Sequence, residues 1–313
     1  MDLVGDIGAT NARFALVDGD GTLCSGADLL CRDHATMADA ICTYLAATGA
    51  KPPTQAVLAV ATSPRGDQVC FTNNAWSFSI AKLGERVGIT RVRVINDFEA
   101  NALALSHLSS EDVRQVGGGT AVAGAPMGVI GPGSGLGVGA AVACGTRYEA
   151  IAGEGGHVTM AAANNDEGAV LDLLRRRFGH VSAERVLSGP GLINLYDALC
   201  ALRGQVPGKL VAGEITDAAK GEHDSCASEA VAMFCAMLGT VAGNLALTLG
   251  ARGGIYIAGG IVPKLGDTFV TSGFRARFED KGRFGDYLAA IPTFVITRRH
   301  AALLGAAQLL SDT

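Results

Sequence analysis

One pattern occurs twice in this chain: an apolar run, a short turn of glycine and hydroxyl residues, and a second apolar run. Leu3-Val4-Gly5-Asp6-Ile7 leads through Gly8-Ala9-Thr10-Asn11 into Ala12-Arg13-Phe14-Ala15-Leu16-Val17. Met127-Gly128-Val129-Ile130 leads through Gly131-Pro132-Gly133-Ser134-Gly135-Leu136-Gly137 into a run over 138–143. Each reads as two short strands joined by a tight turn, and the repetition implies two related halves. The length agrees, because 313 residues are too many for one ordinary compact domain and suit two of ~150 residues each.

Around the two hairpins the periodicity alternates. Strand-length runs at 56–61 and 92–95 alternate with helical stretches near 35–47 and 79–87. In the second half the pattern predicts helices at 168–178, 191–202 and 228–249, strands at 254–258 and 292–297, and a last helix over 301–310. Pro190 suits the first turn of a helix whose cap is Ser188 or Gly189. Strands alternating with helices give an α/β fold. A shift to glycine and small residues at 117–124 marks a candidate boundary.

Glycine supplies 43 residues, about twice the usual ~7%, with no collagen period. With 49% apolar residues and only 9 prolines the chain is not disordered, so the glycines mark loops where backbone approaches a ligand or another strand. Twenty-five basic residues stand against 30 acidic ones, and no like-charge run exceeds Arg175-Arg176-Arg177. That balance argues against nucleic acid and anionic membrane as partners. The eight cysteines form no C-x-x-C pair and no zinc spacing, so buried free thiols in a reducing cytosol are expected. The acids in Met1-Asp2-Leu3-Val4-Gly5-Asp6 do not suit an export signal, and a cytoplasmic protein is expected. The uncharged stretch 230–251 is long enough for a ~30 Å bilayer core, but it is rich in alanine and glycine and contains Thr240, Asn244 and Thr248. It reads as a buried central helix.

The chain has no G-x-x-x-x-G-K-[ST], and its glycine turn at 131–137 is followed by a strand, which excludes the P-loop and dinucleotide fingerprints. Both hairpin turns instead offer successive backbone N–H groups and a hydroxyl, Thr10 or Ser134, the makings of a phosphate nest. Asp6, beside the first turn, is a candidate ligand for hydrated Mg²⁺. In Ile95-Asn96-Asp97-Phe98-Glu99, where a strand enters a helix, Asp97 is either a helix cap or a carboxylate on the ligand-facing edge of an open sheet, able to accept the proton of an attacking hydroxyl. In Gly153-Glu154-Gly155-Gly156-His157 the Glu and His suit polar recognition or half of a metal site, with no further cysteine or histidine nearby to complete one. Glu184, taken alone, is a solvated or ion-paired acid.

Asp6-x-Gly8-x-Thr10, Gly133-Ser134-Gly135 and Ala258-Gly259-Gly260 resemble the two phosphate loops and the adenosine loop of the actin-like, sugar-kinase and heat-shock ATPase fold. More closely, the chain resembles bacterial ATP-dependent glucokinases of the hexokinase superfamily. The matching segments are 5–13, Thr72-Asn73-Asn74-Ala75-Trp76, Ile95-Asn96-Asp97-Phe98, Gly153-Glu154-Gly155-Gly156-His157-Val158, 182–192, 257–263 and Phe278-Glu279-Asp280-Lys281-Gly282-Arg283-Phe284. The resemblance implies a two-lobed actin-like ATPase (ribonuclease H-like) fold with the active site in the interdomain cleft. Its small domain would be 1–107 plus 298–313 and its large domain 108–297. It implies phosphoryl transfer from MgATP to the 6-hydroxyl of D-glucose, with Asp97 as general base and Asn96 on ring hydroxyls. Glu154, His157 and Glu184 would hold the hydroxyls at the anomeric side. Gly5, Asp6, Ile7, Gly8, Ala9 and Thr10 would hold the ATP phosphates with Gly133, Ser134 and Gly135, the adenosine lying near Gly259 and Gly260 and Asp6 meeting Mg²⁺ through water. It also implies a homodimer. Ala9 stands where this family usually has a second glycine, so the backbone there either needs no positive φ or is strained. The alternatives are a kinase for another hexose or an amino sugar, a non-catalytic sugar sensor, which needs neither Asp97 nor Asp6, and a cytoskeletal actin-like ATPase, which should lack the Glu154, His157 and Glu184 set.

Overall fold

The computed structural model describes residues 1–64, 66–71, 75–221 and 224–310. The chain forms two compact units: residues 1–109, 144–152 and 298–313 make one, and 110–143 with 153–297 make the other.

In the first unit five strands form one sheet and two form a small hairpin. The strands are β1 (Asp2–Ile7), β2 (Asn11–Val17), β3 (Leu23–Leu30), β4 (Gln55–Val60), β5 (Gln68–Cys70), β6 (Ser77–Ser79) and β7 (Arg91–Asn96). The sheet runs β3-β2-β1-β4-β7, with β1, β2 and β3 antiparallel and β4 and β7 parallel to β1. Side chains alternate across it. Leu3, Ile7, Phe14, Leu58 and Val60 share a core with Ile41, Tyr44 and Leu45 of the helix Met37–Thr48. Val4, Ala15, Val57, Ala59 and Ile95 pack with Ala302, Leu303, Ala306 and Leu310, in and just after the C-terminal helix Ala301–Gln308.

The second sheet is built from β8 (Val113–Val116), β9 (Met127–Pro132), β10 (Leu136–Cys144), β11 (Arg147–Gly153), β12 (Ile255–Ile257) and β13 (Thr293–Ile296), in the order β11-β10-β9-β12-β13-β8. Setting β8 aside, its plan repeats the first. The hairpin β9/β10 stands for β1/β2, and β12 and β13 run parallel to β9 as β4 and β7 do to β1. The pattern repeated in the sequence is thus a repeated topology.

Helices cover this sheet, the longest being Ser225–Leu249, whose first N–H groups are capped by Asp224. Among the described residues it is the one helix long and apolar enough to cross a bilayer, and most of it is buried in the core of the second unit, as the alanine-rich stretch predicted. Ser188 caps the helix Gly189–Leu202, accepting a hydrogen bond from Gly191 N–H at 3.0 Å. A part-buried ion pair, the buried Glu167 with Arg277 at 2.7 Å, joins the helix Asn165–Phe178 to Phe274–Glu279. All eight cysteines are free thiols, but only Cys31, Cys200, Cys226 and Cys235 are fully buried.

Candidate active site

In the first unit three parallel strands end side by side, with Ile7, Val60 and Asn96 in register across β1, β4 and β7. The turn Gly8-Ala9-Thr10 and Asp97 therefore occupy one sheet edge, two strand spacings or about 10 Å apart. The turn is closed by Gly8 N–H donating to Asn11 O at 2.9 Å and anchored by Cys31 N–H donating to Thr10 O at 2.9 Å. Ala9 has no positive φ, so its side chain costs no strain where the family usually has glycine. Gly5 and Ile7 lie within the sheet: a Cβ on Gly5 would meet Leu58 at 2.8 Å, and Ile7 is part of the core. The part of this segment open to a ligand is Gly8 to Thr10, with Asp6 beside it.

Asp6 is paired across the ladder with Arg13, whose Nη1 donates to Asp6 Oδ2 at 3.0 Å. Burial nevertheless outweighs Arg13 and holds the Asp6 carboxyl above its ordinary value. A second guanidinium nitrogen, Arg13 Nε, is buried and has no hydrogen-bond partner among the described residues. Arg13 has no role in the sequence reading, although a hairpin centred on Ala9-Thr10 necessarily sets residue 13 opposite residue 6.

At the end of β7, Asn96 is the cap of the helix Asp97–Ala104. Its Oδ1 accepts from Phe98 N–H at 2.8 Å and its Nδ2 donates to Thr62 O at 3.3 Å. Of the two alternatives for Asp97, the cap is thereby taken by its neighbour. Asp97 sits half-buried at the first helical position, where the N-terminal end of the helix favours a negative charge. The second Nδ2 hydrogen of Asn96 has no partner among the described residues.

In the second unit Gly133-Ser134-Gly135 joins β9 to β10 as a three-residue turn, with Gly133 N–H donating to Gly135 O at 2.8 Å and Ser134 exposed. β12 ends on the same edge, and there Gly259 turns the chain with φ +81°; a Cβ on it would stand 2.3 Å from Pro132 O. Glu184 lies in the short turn Ala183–Arg185 and its Oε2 accepts from Leu136 N–H at 2.9 Å. Glu154 and His157 are exposed at the two ends of the next loop, His157 N–H donating to Glu154 O at 3.0 Å. Ala183 N–H donates to Val158 O at 2.9 Å, and Thr159 bridges to Ser182, so this loop and the Glu184 turn lie together.

The sequence-predicted residues thus gather into two groups: Asp6, Gly8, Ala9, Thr10, Asn96 and Asp97 in the first unit, and Gly133, Ser134, Gly135, Glu154, His157, Glu184, Gly259 and Gly260 in the second. Thr72, Asn73 and Asn74 fall outside the described residues. Trp76 of that segment is buried, its Nε1 donating to His34 O at 3.1 Å.

Two sheets of one plan, each ending in a hairpin turn of glycine and hydroxyl residues, define the actin-like ATPase fold as it occurs in sugar kinases. Within it, the chain belongs to the glucokinase family: the family model described as "Glucokinase" matches residues 3–313. A glucokinase of Aromatoleum aromaticum is 50% identical over 99% of this chain and 94% of its own length. The crystal structure of a glucokinase from an Antarctic psychrotroph superposes with a TM-score of 0.88 at 34% identity, covering 100% of this chain and 99% of that one. At the level of fold alone, a ROK family glucokinase from Streptomyces griseus, in complex with glucose and AMPPNP, matches with a TM-score of 0.64 at 21% identity over 98% of both chains.

Proposed function

We propose that this glucose kinase transfers the γ-phosphoryl group of ATP to the 6-hydroxyl of D-glucose, giving glucose 6-phosphate and ADP, with Asp97 as general base. The bond from O6 to the γ-phosphorus forms as the bond from that phosphorus to the bridging oxygen of ADP breaks, and the hydroxyl proton goes to Asp97. The observation that carries the reading is the placement of Asp97: it stands on the same sheet edge as the Gly8-Ala9-Thr10 turn, and Asn96 does the capping. Phosphoryl transfer needs little covalent chemistry from a protein, so positioning of the hydroxyl against the phosphate supplies most of the acceleration.

The backbone N–H groups of the turns 8–10 and 133–135 would hold phosphate oxygens, and the adenosine would lie along Gly259 and Gly260. Asp6 fits a magnesium ion bound through water. Its Oδ2 is engaged by Arg13 while Oδ1 has no partner among the described residues, and one carboxylate beside a phosphate turn is the donor set this ion ordinarily takes from a protein. When bound, the ion neutralises charge on the phosphates. Glu154, His157 and Glu184 would accept and donate hydrogen bonds at the anomeric side of the sugar, with Asn96 on its ring hydroxyls. A wrong epimer would leave one of these groups unpaired, at about 1–3 kcal/mol each.

Asp97→Asn tests the base. The amide keeps size and polarity but takes no proton, so kcat should fall by about 10²-fold or more while glucose binding measured by calorimetry changes little. Normal turnover in this variant would sink the assignment. A hexose panel in a coupled ADP-release assay tests the acceptor, and dominance of another hexose would redirect it. The reading takes the enzyme as a cytoplasmic homodimer, supported by family membership and checked by light scattering in solution.

A further inference from the structure

We propose that Glu184 is a positioning residue for the nucleotide as well as a ligand for the sugar: its carboxylate ties the sugar-side loops to the Gly133-Ser134-Gly135 turn. This rests on the reading above, in which that turn meets nucleotide phosphates. Leu136, the first residue of β10, is the junction. Its N–H donates to Glu184 Oε2 at 2.9 Å. Its carbonyl oxygen faces Gly156, where a Cβ would stand 2.0 Å away, so the loop carrying Glu154 and His157 closes onto the same residue. Gly135, immediately before the junction, lies against the same carboxylate; a Cβ there would stand 2.5 Å from Glu184 Oε2.

The other end of the turn is held from the same segment. Gly189 N–H donates to Gly133 O at 2.8 Å, and the Ser188 hydroxyl donates to the carbonyl oxygen of Glu184 at 2.8 Å. Residues 184–189 therefore grip both ends of the turn, by a carboxylate at Leu136 and a peptide N–H at Gly133. Glu184 Oε1 has no partner among the described residues and is the oxygen left for a sugar hydroxyl. A hydroxyl bound there fixes the carboxylate, and the fixed carboxylate fixes the Leu136 contact. The ordering cost of the turn is then met once for two ligands, which makes sugar and nucleotide bind with positive coupling.

The test measures MgADP binding by calorimetry, without sugar and with saturating glucose, in the full-length wild type, Glu184→Ala and Glu184→Gln, with thermal melts to confirm folding. Glu184→Ala should weaken MgADP about fivefold or more in the absence of sugar, the lower end of ordinary coupling between sites, and abolish the tightening by glucose. Glu184→Gln keeps an oxygen that can accept from Leu136 N–H. It should therefore restore sugar-free MgADP affinity to within about twofold of wild type while the KM for glucose stays raised. Sugar-free MgADP affinity in Glu184→Ala equal to wild type would overturn the coupling, and so would a glutamine variant as weak as the alanine one. Wild-type turnover with glucose and ATP, assayed in the same series, separates these results from a failure of the proposed reaction.

Discussion

Asp6 holds opposed tendencies in one carboxyl group. Arg13 at 3.0 Å favours its ionised form, yet burial prevails and its pKa lies above the ordinary 3.8. A folded carboxyl that holds its proton more tightly than the unfolded one loses stability as pH rises from the unfolded value through the folded value. The charged Asp6 is thus carried at a cost, repaid only if a cation or its hydration shell meets Oδ1. Asp6→Asn removes that cost and also removes the ligand. In chelator-containing buffer the Tm of the variant relative to wild type should climb between pH 4 and neutrality, while its kcat falls by an order of magnitude or more. A Tm difference that stays level or declines over this range would show that Arg13, rather than burial, governs the group. At this scale the sequence was legible where chemistry is local: Asp6 and Asp97 stand out because each is an acid at the end of a strand-length run, one beside a glycine turn and the other opening a helix. The bond from Leu136 N–H to Glu184 was not legible, since it joins residues 48 positions apart and leaves no periodic trace.

Legibility among elements followed burial. β1, β4 and β9 announce themselves because both faces are covered and the runs are nearly all apolar. β3 and β11, which flank the hairpin at the edge of each sheet, carry no such run: Leu23–Leu30 and Arg147–Gly153 are partly exposed, with polar residues among the apolar ones. The helix cap, expected at Ser188 or Gly189, is Ser188, legible because hydroxyl capping depends only on neighbours. Helix-on-helix contact depends on distant residues, and Gly305 is the case that matters for the site. A Cβ there would stand 1.8 Å from Ala100 O, so the C-terminal helix rests directly on the backbone of the helix that Asp97 opens. Gly305→Ala must push the two apart at about 1–3 kcal/mol, the usual cost of overpacking, and must move Asp97 with them. The expected outcome is a lower Tm together with a several-fold fall in kcat. Unchanged melting would mean that the two helices are not held in backbone contact in solution.

For the molecule as a whole, the repeated hairpin explains why there are two units but not why the chain ends in the unit where it began. The reason lies in the first sheet, whose face formed by Val4, Ala15, Val57, Ala59 and Ile95 finds its cover in Ala302, Leu303, Ala306, Ala307 and Leu310. Among the described residues, none between 110 and 297 takes part in that cluster. Uncovering Val4, Val57 and Ile95 and losing Leu303 and Leu310 affects five large apolar side chains at about 1.5–3 kcal/mol each, a sum comparable to the entire stability of an ordinary domain, ~5–15 kcal/mol. A chain truncated after residue 297 should therefore fail to fold its first unit even though both hairpins and every residue proposed to contact substrate remain. Limited proteolysis should cut the truncated protein throughout residues 1–109 while leaving fragments of 153–297 protected, and glucose phosphorylation should be lost. If residues 1–109 stayed protected, the final helix would be an accessory to the first sheet rather than half of its core.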